Sequence, residues 1–98
     1  MKRDQVIAVL RAHEGELRRR GVAHAALFGS AARGQARPDS DLDIMVDIAP
    51  GAAVDVYDYV GLRQFIEALF PVRVDIANRA ALKPHVRPSA ERDAVYAF

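Results

Sequence analysis

The chain has 98 residues, no cysteine, a formal net charge of +1 and an apolar half. That size suits one compact domain, expected over residues 1–98. The missing cysteine excludes disulfide staples and thiolate metal sites, and near-neutrality argues against a dedicated nucleic-acid binder. No apolar run approaches the ~18 residues of a membrane span, and no signal-peptide pattern follows Met1, so a cytoplasmic home is expected.

Val6, Leu10 and Leu17 share one stripe of a helix predicted over Asp4–Arg20, with Asp4 as N-cap and Gly21 as stop. Val22–Phe28 is a short apolar run ending at Gly29, which reads as a buried strand. Ser30–Arg33 fits a short helical turn, and Gly34–Ser40, with Pro38, reads as loop. Leu42–Ile48 alternates, so Leu42, Ile44, Val46 and Ile48 point one way while Asp41, Asp43, Met45 and Asp47 point the other.

Asp55–Leu69 is the second long helix, with Val56, Tyr59, Val60, Ile66 and Leu69 available for its core face. Pro71 stops it. Val72–Ile76 alternates again, with Arg73 and Asp75 on the polar side, and Ser89–Phe98 fits a last short helix. The order is helix, strand, turn, strand, helix, strand, helix. It implies an α/β fold of the α+β type: a small mixed sheet with helices packed mainly on one face.

The chemistry concentrates in Leu27–Val46, "LFGSAARGQARPDSDLDIMV". Asp41 and Asp43 share one strand face, and Asp75 joins them if its strand lies alongside. Three neighbouring carboxylates raise one another's pKa unless a cation intervenes. An all-oxygen set favours Mg²⁺ or Mn²⁺, ions that keep water and bind through phosphate. Gly29 lets backbone approach a ligand closely, and the N–H groups of that turn, with the Ser30 hydroxyl, suit a phosphate. Arg33 could clamp a further phosphate oxygen.

Each residue also has a plainer role. Asp41 and Asp43 could be solvated at a loop end, and Asp75 could face solvent beside Arg73. Ser30 could simply cap a helix, and Arg33 could be a surface arginine. Asp47 lies too far along its strand for the same cluster. His13, His24 and His85 are scattered and point to no ligand set, Arg18–Arg20 reads as a solvated helix end, and Tyr57, Tyr59 and Tyr96 read as core-edge or interface anchors.

With Gly29-Ser30, ten residues, then Asp41-Leu42-Asp43, and with Ala32-Arg33-Gly34 and Ser40 between, the sequence resembles the minimal nucleotidyltransferases of the polymerase-beta superfamily. The third acidic position of that family falls on Asp75. The resemblance covers nearly the whole chain, and Asp93 stands where the family more often carries Glu. It implies a polymerase-beta-like fold in which Asp41, Asp43 and Asp75 are catalytic and hold magnesium, with two ions. Gly29, Ser30, Arg33 and Ser40 would then bind the nucleotide, with ATP as substrate.

Small stand-alone members of the family are typically encoded beside a HEPN-type RNase toxin. The resemblance therefore implies transfer of AMP from ATP to a tyrosine of such a toxin, with this chain as antitoxin. Two other functions compete. One is a module that neutralises its partner, or holds nucleotide, without turnover; the other is a small-molecule or RNA transferase whose partner supplies the acceptor site.

Overall fold

A computed structural model describes all residues, Met1–Phe98. Helix α1 (Arg3–Ala12) and helix α2 (Glu14–Arg19) precede strand β1 (Val22–Phe28) and the short helix α3 (Gly29–Ala32). Strand β2 (Leu42–Ile48), helix α4 (Val56–Glu67) and strand β3 (Val74–Asn78) follow, then a 3-10 turn (Arg79–Ala81), helix α5 (Arg87–Asp93) and strand β4 (Val95–Tyr96). The strands form one sheet in the order β3-β2-β1-β4. β1 is antiparallel to both β2 and β4. β3 is parallel to β2, and α4 makes the crossover that a parallel pair needs.

Period two sorts the sheet into two faces. Leu27 pairs with Ile44 and Ala25 with Val46, and these join Val6, Leu10, Leu17, Leu62 and Ile66 in the main core. Helices α1, α2 and α4 therefore cover one face, as the alternation in β2 predicts. The opposite face pairs Phe28 with Asp43, Ala26 with Met45 and His24 with Asp47. Ala26, Met45 and Ala90 are buried yet lie outside the main cluster, so α5 adds a second, thinner layer over the middle of that face.

The long first helix expected over Asp4–Arg20 is broken at His13. The His13 N–H turns to the Leu10 carbonyl at 3.1 Å, and its ring Nδ1 lies 2.9 Å from the Val9 carbonyl, the acceptor an unbroken helix would have given that N–H. Gly15, a poor helix former, follows. In α4, Asp55 and Asp58 form a reciprocal cap, with the Asp58 N–H donating to Asp55 Oδ1 at 2.7 Å. Its core face is Leu62 and Ile66, whereas Val56 and Val60, expected inside, are exposed.

The third strand sits two residues later than the Val72–Ile76 alternation suggests, because pairing with β2 runs from Leu42–Val74 to Val46–Asn78. The expected terminal helix stops at Asp93. Ala94 turns extended, and Val95-Tyr96 pairs with Leu27 and Ala26, which covers a β1 edge that would otherwise be unpaired. No helix is long and apolar enough to cross a membrane.

Candidate active site

The carboxylates gather where β1 ends and β2 begins. Asp43 is the second residue of β2, and its register partner on β3 is Asp75. Neighbouring strands run about 4.8 Å apart, so these side chains leave the same face side by side. Asp41 precedes Asp43 by two residues, the spacing that returns a side chain to one face of an extended chain. The parallel pairing of β2 with β3 thus joins positions more than thirty residues apart in sequence.

Gly29 forms the floor. Its φ is +74°, a left-handed conformation that favours glycine. A Cβ built there would overlap the Asp43 carboxylate and lie 3.2 Å from Asp43 Cγ. Backbone at Gly29 and the carboxylate of Asp43 therefore touch only because this position has no side chain. Ser30 follows, half-buried, in the first turn of α3. Ser40 folds the loop ahead of Asp41, its Oγ accepting from the Arg37 N–H at 2.9 Å.

The electrostatics follow from this crowding. Burial pushes the Asp43 carboxyl pKa up, and the charges of Asp75 and then Asp41 push it further; Arg33 acts in the opposite direction. Arg73 stands between the outer two acids, 3.9 Å from Asp41 Oδ2 and 3.8 Å from Asp75 Oδ1. At those lengths and with its side chain three-quarters exposed, it is a loose counter-charge that a tighter cation could displace. The plainer reading of Asp75, paired with Arg73, thus describes its present contact.

Arg33 is tied down. Its Nε donates to Gln35 Oε1 at 3.0 Å and its Nη1 to Asp93 Oδ2. Asp47 lies outside the cluster, 3.6 Å from Arg79 Nη1, and Arg79 in turn bonds Glu91. Sequence reasoning singled out neither Arg73 as a bridge between two acids nor Asp93 as the partner of Arg33. The first has a local signal, since Arg73 and Asp75 alternate on one strand face. The second has none, since Arg33 and Asp93 are 60 residues apart.

The donor set suits a hard divalent cation. It is all oxygen, mutually repulsive, and built against a backbone position that a Cβ would fill. As the side chains stand, no three acidic or imidazole groups converge closely enough to enclose an ion. The largest cleft, about 740 Å³, is elsewhere, lined by Arg18–Gly21, Ala49–Val54 and the start of α4 at the far end of β2. Asp41 and Asp75 are about half exposed at the strand ends, and Asp75 lines a smaller cleft of about 200 Å³ with Arg63, Glu67 and Arg73.

The model of the nucleotidyltransferase domain family matches residues 10–97, and the chain belongs to that family. The protein adenylyltransferase MntA of Thermococcus cleftensis is 36% identical over 94 residues, covering 95% of this chain and 93% of that one. A Methanocaldococcus jannaschii protein provisionally named a protein adenylyltransferase is 32% identical, with 94% of each chain covered.

Among solved structures, one of a protein provisionally described as a minimal nucleotidyltransferase superposes with a TM-score of 0.78 at 36% identity, covering 97% of this chain and 95% of the other. A tri-AMPylated Shewanella oneidensis HEPN toxin in complex with its MNT antitoxin gives 0.64 at 16% identity, over 94% of this chain and 71% of that one. A toxin–antitoxin structure with AMP-PNP gives 0.68 at 18% identity, over 100% and 73%. At such identities these last two show the shared fold.

Proposed function

We propose that this nucleotidyltransferase transfers AMP from ATP to a tyrosine hydroxyl of a HEPN-type RNase toxin encoded by the neighbouring gene, and thereby acts as its antitoxin. The observation that carries the reading is the meeting of Gly29 with Asp43, with Asp75 in register beside it. A polyanion lying there would meet the backbone of Gly29 beside the carboxylates that would hold a metal. The naming of the Thermococcus relative supports protein as the acceptor class, and the fold shared with the HEPN-bound antitoxin supports the partner.

Asp41 and Asp43 would hold magnesium, with Asp75 completing a second position. Bound there, it would neutralise charge on the triphosphate and lower the pKa of the acceptor hydroxyl. The Gly29-Ser30 turn and Arg33 hold the β and γ phosphates, and Ser40 fixes the loop that delivers Asp41. The acceptor oxygen forms a bond to the α phosphorus, the bond from that phosphorus to the bridging oxygen breaks, and pyrophosphate leaves. Asp75, with its side chain 56% exposed, would take the acceptor proton. Positioning and electrostatics do most of the work, as in phosphoryl transfer generally.

The test uses ATP labelled in turn at the α and γ phosphates, incubated with this protein, magnesium and the purified neighbour. Label on the neighbour from the α position only, and none with Asp41→Asn/Asp43→Asn, is the expected result. No label while both versions still silence the neighbour would mean inhibition by contact alone.

A further inference from the structure

We infer that Asp93, at the end of α5, is a positioning residue for the nucleotide site, acting through Arg33. The inference rests on the reading of Gly29–Arg33 as the phosphate-binding turn. Arg33 follows α3 directly, and its side chain is held from two directions. Gln35 Oε1 accepts from Nε at 3.0 Å and Asp93 Oδ2 accepts from Nη1. Nη2 is left without a partner in the chain, so the guanidinium presents one edge while the other two nitrogens are fixed. A guanidinium is a planar fork, and fixing two of its nitrogens sets the direction of the third.

Asp93 is suited to hold a direction rather than merely to neutralise charge. Its side chain is only 21% exposed, against 44% for Arg33. Two residues further on, Val95 pairs with Leu27 of β1, and Leu27 lies two residues before Gly29. The backbone on both sides of the ion pair is therefore anchored in the same stretch of β1. The Ala97 carbonyl is held as well, accepting from Arg11 Nε at 2.8 Å. The C-terminal segment, which supplies no ligand of its own, thus sets where Arg33 points. Without Asp93, Arg33 would keep its charge and lose its aim, a loss felt by the outer phosphates and not by the nucleoside end.

Binding of MgATP and of AMP to the full chain would be measured by titration calorimetry for wild type, Asp93→Ala, Asp93→Glu, Arg33→Ala and the Asp93→Ala/Arg33→Ala double variant. Thermal melts serve as the control for folding. Asp93→Ala should weaken ATP binding roughly tenfold, the scale of one charge-assisted hydrogen bond, and change AMP binding less than about twofold. Asp93→Glu should restore ATP binding, and the double variant should match Arg33→Ala alone, because the two residues act as one unit.

Unchanged or tighter ATP binding by Asp93→Ala would overturn the inference. So would equal losses for ATP and AMP, or a loss that adds to that of Arg33→Ala. Failure of the wild type itself to bind MgATP would overturn the nucleotide-site reading, and the inference with it; intact wild-type binding with any of the preceding results sinks the Asp93 role alone.

Discussion

The two faces of the sheet are built from the same strands and do opposite work. On the helix-backed face, Leu27, Ile44 and Val46 are completely buried among residues from α1, α2 and α4. On the other face, one residue along each strand, Asp43 carries a pKa raised by burial and by its acidic neighbours. The first face stabilises the fold by removing apolar surface from water, about 25 cal/mol per Å². The second spends part of that stability holding like charges together. A protein this small can keep such a cluster because the strand period confines it to the side away from the main core.

Substitutions on either side can break or sharpen this contrast. Asp41→Asn/Asp43→Asn should cut nucleotidyl transfer by two to three orders of magnitude or more, the scale of losing a main electrostatic group, while circular dichroism shows the fold intact. Leu10→Ala, on the core side, should cost about 2–5 kcal/mol of unfolding free energy in urea titrations. If the loss in activity is no larger than the loss in folded protein, the two faces are as separate as drawn.

Gly29→Ala falls between the faces. It combines a positive φ with an overlap on the Asp43 carboxylate, so a cost of about 1–2 kcal/mol should come with loss of transfer, because the carboxylate must move. Unchanged melting and activity would mean that the close approach at Gly29 is not required.

The smallest effect is on stability, and its sign is diagnostic. The folded-state pKa of Asp43 is raised, so the ionised carboxylate costs stability at neutral pH, and that cost disappears as pH falls through the raised value. In the absence of divalent cation and nucleotide, Asp43→Asn should therefore melt higher than wild type at pH 7. The gap should close on acidification through the carboxylate range. A variant that melts lower at pH 7 would mean that Asp43 is held by favourable contacts instead.

Some of this was legible along the chain. The alternation in Leu42–Ile48 separates the core residues from the acids without any structure, because strand side chains alternate by geometry. Gly29 before Ser30, and Asp41 two before Asp43, mark the site by spacing. Met45 falls on the polar side by alternation and is nevertheless buried there, because the face away from the main core is itself partly covered, as the burial of Ala26 and Ala90 also shows. Val56 and Val60 look like core by type and face solvent, since they share the helix face of Arg63 and Glu67 while Tyr59, Leu62 and Ile66 take the face toward the core.

By itself, then, the sequence determined β1 and β2, the approximate place of β3, the two-faced alternation and the candidate cluster of Asp41 and Asp43, all of which follow from periodicities shorter than one element. Only the tertiary structure decided that Asp75 stands in register with Asp43, that Arg73 bridges the outer acids, and that the C-terminal residues form a strand which brings Asp93 to Arg33. These are contacts between segments far apart in the chain. They depend on strand order and parallel pairing, which local propensity does not encode.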